Sequence, residues 1–131
     1  MTYLLDTDTC IAVLRHRPGM VQRLINVAPT DCAVSMVTVY ELFCGVEKAQ
    51  DPATEHQKVA RFISATIELP LDRDAAKHAA RIRADLERQG QPIGPYDLLI
   101  AGQALASGLT LVTNNRREFQ RVAGLKLEAW P

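Results

Sequence analysis

Five short runs alternate with stretches of helical period, and this alternation constrains the fold more than anything else in the chain. The runs are residues 2–6, Ala33-Val34-Ser35, Ile67-Glu68-Leu69, Leu109-Thr110-Leu111-Val112-Thr113 and residues 126–130, the last expected at a sheet edge. The run at 2–6 is nearly all apolar, as in strands buried on both faces of a parallel sheet. Between the runs, helices are expected over 7–15, 20–28, 37–49, 52–64, 72–89, 96–107 and about 115–121. Val39, Leu42, Phe43 and Val46 show the one-face spacing of a packed helix. Gly90 is placed to end the longest helix in a left-handed cap. Strands alternating with helices predict a three-layer α/β/α sandwich around a central, mainly parallel sheet.

Size and charge narrow the functional classes. A chain of 131 residues is expected to form a single domain over 1–131. At that length about two-thirds of the unfolded surface is buried, so no disulfide or zinc staple is required. Cys10, Cys32 and Cys44 form no C-x-x-C, and His16, His56 and His78 lack zinc-ligand spacing to them, so reduced and mostly buried thiols are expected. The apolar runs are too short to span a membrane, and a cytoplasmic protein is expected. Net charge is zero, which argues against strong non-specific nucleic-acid binding. The second half is the more basic, so any RNA contact is expected from local patches there.

Four acids sit where predicted strands give way to loops or helices: Asp6, Glu41, Asp97 and Glu118. In a parallel sheet the carboxyl ends of the strands share one edge, so these acids would converge on one crevice. Carboxylates crowded together repel, and a cation is the usual compensation. Hard oxygen ligands point to Mg²⁺, with Mn²⁺ as a substitute, and to metal-assisted attack on a phosphodiester. Each acid also has a structural rival. Asp6 suits a helix N-cap, although Thr7, Asp8 and Thr9 offer alternatives. Thr38 and Glu41 have capping-box spacing, unless Ser35 caps earlier and frees Glu41. Asp97 follows Gly94-Pro95 in a first helical turn, where the macrodipole favours an acid. Glu118 taken alone reads as a solvated helix residue beside Arg116 and Arg117. Arg15, Arg17, Arg116 and Arg117 are expected near the crevice mouth as phosphate contacts. Lys77, Arg81 and Arg88 share a face of the long helix that reads as solvated.

Four segments taken in order resemble a known family. They are Leu4-Leu5-Asp6-Thr7, Ser35 through Glu41-Leu42, Gly94-Pro95-Tyr96-Asp97-Leu98-Leu99-Ile100-Ala101, and Leu111-Val112-Thr113-Asn114-Asn115-Arg116-Arg117-Glu118-Phe119. Over essentially its whole length the chain resembles a PIN-domain ribonuclease of the VapC toxin type. The resemblance implies a PIN-like fold, with Asp6, Glu41 and Asp97 as the family's metal-site acids and Asp6 and Asp97 as the ligands proper. Asn115 stands where many relatives have Asp, so Glu118 is expected to supply the missing charge. Thr7, Asp8 and Thr113 are expected to support the site. The implied activity is Mg²⁺-dependent cleavage of structured RNA, a tRNA or rRNA loop, leaving a 5′-phosphate and a 3′-hydroxyl. The implied partners are a cognate VapB-type antitoxin, operator DNA reached only through that antitoxin, and a second copy of the chain.

Two other classes compete. Asp6-Thr7-Asp8 also opens haloacid-dehalogenase-type phosphatases, where the first Asp is a nucleophile, but these need a downstream Lys and a late acidic pair. Lys126 is the only late lysine, and no paired acids follow Asp97. A catalytically degenerate PIN fold acting as a binding module is favoured only by Asn115.

Overall fold

The structure, a computed structural model, describes residues 1–130. Strand β1 is Tyr3–Leu5, β2 is Cys32–Ser35, β3 is Ile67–Leu69, β4 is Thr110–Val112 and β5 is Leu127–Glu128. They form one sheet in the order β3-β2-β1-β4-β5, and all four pairings are parallel. The sheet expected from the alternation is therefore present, with β5 at an edge. Helix α1 is Thr7–Leu14, α2 is Pro18–Ile25, α3 is Met36–Glu47 and α4 is Pro52–Ser64. Helix α5 is Arg73–Arg88, α6 is Pro95–Ser107 and α7 is Arg116–Phe119.

The pleat divides the core into two layers. Leu5, Val34 and Val112 align across neighbouring strands and pack with Val13, Leu42, Val46 and Phe62 from α1, α3 and α4. One residue earlier, Leu4, Ala33 and Leu111 align and pack on the opposite face with Ile82, Leu86, Ile100 and Phe119 from α5, α6 and α7. Burial of each such aliphatic side chain contributes roughly 1.5–3 kcal/mol. Helices α5 and α6 approach very closely. A Cβ at Gly102 would lie 2.7 Å from the Ala75 carbonyl oxygen and 2.8 Å from the Ala79 Cβ. Near the end of the chain Trp130 is buried, with its ring edge-on to Tyr3 at 5.7 Å and under the Arg23 guanidinium at 5.9 Å. Arg23 also pairs with Glu128 at 2.6 Å, which ties α2 to β5.

Local chemistry sets most element boundaries. Asp51 and Asp72 cap α4 and α5 through side-chain oxygens, and Gly90 and Gly108 take the left-handed turns that follow α5 and α6. One expectation is corrected and two open alternatives are decided. The second helix begins at Pro18, not residue 20, because proline suits the first helical position, and it ends at Ile25, before residue 28. Asp6 does cap α1: its Oδ1 accepts from the Thr9 amide at 2.8 Å, so none of the alternative caps is used. Thr38 is not a cap, since Ser35 fills that place through its hydroxyl, accepting from the Val37 amide at 2.9 Å.

Candidate active site

The chain runs β1 to β2 to β3 toward one side, then returns to β4 on the other side of β1. The carboxyl edge beside β1 is thus a topological switch point, where a crevice opens between diverging connections. The residues that follow the aligned Leu5, Val34 and Val112 rows are Asp6, Ser35 and Thr113. Ser35 is spent on capping α3, which leaves Asp6 and Thr113 at the floor.

Asp6 is only 4 % exposed. Burial pushes its carboxyl pKa up, while the Thr113 side chain and the Thr9 hydroxyl and amide pull it down, and nearby Asp8 pushes up again. Thr9 also donates from its hydroxyl to the Val112 carbonyl at 3.0 Å, pinning the start of α1 to β4. Helix α6 delivers Asp97. Burial raises that carboxyl to about 7, with Glu118, Asp6 and Glu41 adding further repulsion and Glu118 a direct hydrogen bond. Asp6, at the cap of α1, Glu41 of α3 and Glu118 of α7 therefore all bear on Asp97 of α6.

Threonine and asparagine side chains hold these acids in place. Thr7 donates to Glu41 Oε1 at 2.7 Å, and Thr38 then donates to Thr7 across 3.0 Å. Asn115 donates from its amide nitrogen Nδ2 to Glu118 Oε2 at 2.6 Å, and its backbone N–H donates to Thr113 Oγ1 at 2.9 Å. A hydrogen-bonded path thus runs Thr113–Asn115–Glu118, and the Glu118 carboxylate bears on Asp97. Glu118, which reads as a solvated residue when taken alone, is drawn into the cluster by Asn115. Thr38 and Thr9 are contributors that sequence reasoning passed over. The only signal for Thr38 was its place one turn before Glu41, and there it reads equally well as a cap.

The basic residues are less tightly gathered. Arg15 lines a groove between α1, α3 and α4 together with Glu41, Ile11 and Val46. Arg17 is not among its walls and sits just before α2, a helix length from Asp6. Arg116 and Arg117 open α7 beside Glu118 and are exposed. Asp8 is exposed in the first turn of α1. Among the described residues, none of these four arginines forms an ion pair, and Cys10, Cys32 and Cys44 are free thiols.

The donor set fits a hard divalent cation in kind: Asp97 feels the charge of Glu118, Asp6 and Glu41, and all four are oxygen donors with no nitrogen or sulfur ligand among them. Among the described residues no group of three or more Asp, Glu, His or Cys side chains is placed to hold a metal ion together. Mg²⁺ does not need one, since it is usually held by one or two carboxylates with water and substrate oxygens completing the octahedron. Among the described residues, no helix is long and apolar enough to cross a membrane.

Comparison with known proteins agrees with this fold. The PIN domain family matches residues 3–125. The chain is 42% identical over 130 residues to the tRNA(fMet)-specific endonuclease VapC of Shigella flexneri, covering 99% of this chain and 98% of that one. It is 38% identical over 130 residues to ribonuclease VapC2 of Haemophilus influenzae, with the same coverage. Among solved structures it is similar to DNA-bound VapBC from Salmonella typhimurium, with a TM-score of 0.95, 40% identity, and coverage of 100% of this chain and 99% of that one. It is also similar to VapBC2 from Rickettsia felis bound to a promoter DNA fragment, with a TM-score of 0.93, 33% identity and full coverage of both.

Proposed function

This chain belongs to the PIN-domain family and, within it, to the VapC ribonucleases, and on that footing we propose that it is a metal-dependent endoribonuclease, the toxin of a VapBC-type pair. The observation that carries the activity is the convergence on Asp97, whose carboxyl is held near neutrality by burial and by acids from three other elements. Strongly perturbed carboxyls cluster in the crevices where enzymes do their chemistry. The whole chain acts as one domain.

Asp6 and Asp97 are the metal ligands, with Glu41 and Glu118 completing the negative field. A bound Mg²⁺ supplies Lewis acidity at the phosphate oxygens and lowers the pKa of water. Glu41, fixed at Oε1 by Thr7, leaves Oε2 to accept a proton from the attacking water. Asn115 fixes the rotamer of Glu118, and Thr113 fixes Asn115, so the acids keep their places when substrate enters. Water adds across the phosphodiester, leaving a 5′-phosphate and a 3′-hydroxyl. Arg15, Arg17, Arg116 and Arg117 contact substrate phosphates. The substrate is a structured RNA, and a tRNA is the first candidate because relatives carry the name tRNA(fMet)-specific endonuclease. Cleavage of such a tRNA stops translation and growth.

A cognate VapB-type antitoxin blocks the site, and operator DNA is reached through it; the DNA-bound VapBC relatives support this arrangement. The active form is a cytoplasmic homodimer. The binding-module alternative loses its one support, because Asn115 orients a fourth carboxylate in the cluster. The phosphatase alternative is not favoured by the family match.

The test is to incubate purified protein with total bacterial tRNA in Mg²⁺ or EDTA and to map the new RNA ends. Cleavage in Mg²⁺ alone, with 5′-phosphate ends, is expected, and Asp97→Asn should abolish it. Equal cleavage in EDTA, or by Asp97→Asn, would overturn the assignment.

A further inference from the structure

Two of the site acids are immediately preceded by an exposed tyrosine. Tyr40 precedes Glu41 on α3, and Tyr96 precedes Asp97 on α6. Tyr40 is 54% exposed and Tyr96 is 42% exposed, although the chain has only three tyrosines in all. The two meet across the helices that carry Glu41 and Asp97. Their ring centroids are 5.7 Å apart at an interplanar angle of 73°, and the Tyr96 hydroxyl donates to that of Tyr40 at 3.4 Å. An edge-to-face pair uses one edge and one face, so the remaining ring faces stay open. Met36, one turn before Tyr40 on the same face of α3, is 42% exposed as well. These three make up half of the large hydrophobic residues left exposed on the described chain.

We propose that Tyr40 and Tyr96 form a stacking ledge for an unpaired base of the RNA substrate, next to the phosphodiester held at the acids. This rests on the ribonuclease reading and adds to it: the substrate must present an unstacked base beside the cut, so a loop is preferred to a duplex. Aromatic faces stack any base without reading its edge, which suits recognition by loop shape. The area argues for a base over a second copy of the chain. The exposed parts of these side chains amount to about 300 Å², taking 150–250 Å² per aromatic side chain. A stable dimer needs about 800 Å² from each partner. The pair also bridges α3 and α6, the two helices that carry Glu41 and Asp97.

The test uses Tyr40→Ala, Tyr96→Ala, Tyr96→Leu and Tyr96→Phe in the full chain. Cleavage of total tRNA is followed with steady-state kinetics, and oligomeric state with sedimentation. Binding of a short RNA stem–loop, with either an intact or an abasic loop, is measured in EDTA. The expected result is a rise in KM of about tenfold for the Ala and Leu variants, with kcat little changed and with Phe restoring wild-type behaviour. The abasic loop should lose affinity for wild type and not for Tyr96→Ala. Tyr96→Leu at wild-type KM would overturn the ledge, because leucine keeps apolar area and lacks a π face. Dissociation of a dimer in the Ala variants with unchanged loop binding would overturn it in favour of a protein interface. A wild type that binds the stem–loop and cleaves no tRNA would refute the ribonuclease reading while leaving the ledge judged by the binding arm. A wild type that neither binds nor cleaves refutes both.

Discussion

Replacing Asp97 by Asn removes the carboxyl on which the other three acids press, and the consequence for stability can be worked out with its sign. Burial and the acid neighbours raise Asp97 from 3.8 to about 7 in the folded protein. In the unfolded chain it returns to the ordinary carboxylate range. Between those values the folded state binds the extra proton, so its stability is full below about pH 4 and is lost as pH rises through 7. Three pH units at 1.36 kcal/mol each set a ceiling of about 4 kcal/mol. Asp97 is partly open to water and hydrogen-bonded to Glu118, so about half of that, ~2 kcal/mol, is the working figure. Asn is neutral at every pH and its amide can donate to Glu118 as the protonated acid does. In EDTA the variant should therefore exceed wild type by under 1 kcal/mol at pH 5 and by about 2 kcal/mol at pH 8, the latter roughly 5–8 °C in Tm for a chain of this size. Thermal melts of both proteins from pH 5 to 8.5 measure this directly. A Tm difference that stays constant across that range would refute the shared-field account of the site.

Other outcomes follow from the same geometry. Glu118→Gln should cut single-turnover cleavage severely, and Asn115→Ala by a smaller factor through lost orientation; wild-type rates for Glu118→Gln would make this a three-acid site. Asp6→Asn should abolish cleavage yet fold, because Asn caps a helix about as well as Asp. Mg²⁺ should raise the Tm of wild type more than that of Asp6→Asn, since a ligand stabilises the state that binds it; equal responses would place the metal elsewhere. Gly102→Ala should destabilise by about 1–3 kcal/mol or more in chemical denaturation, because its Cβ meets backbone of α5 at 2.7–2.8 Å; an unchanged midpoint would show that α5 and α6 can separate at little cost.

The order of strands and helices and the parallel sheet were legible from residue pattern alone, and the four acids were legible as candidates that follow the strands. Those features depend on neighbours close along the chain: apolar runs, caps such as Asp51 and Asp72, and turns such as Gly90. What each acid does with its neighbours was not legible. Asp6 caps α1 through Oδ1 and still lies buried beside Thr113 at the sheet edge, so the cap leaves room for the site role that competes with it in sequence. Glu41 is freed because Ser35 takes the cap, and whether Ser35 or Thr38 does so depends on where β2 stops. Glu118 reads as a surface residue until β4 and α6 bring Asn115 and Asp97 beside it. The Tyr40–Tyr96 contact joins residues 56 positions apart and left no local mark. Local propensity and period are written in short windows of sequence. The pKa of a carboxyl and the partner of a side chain are set by burial and by charges from distant segments, and only the packed sheet edge brings those together.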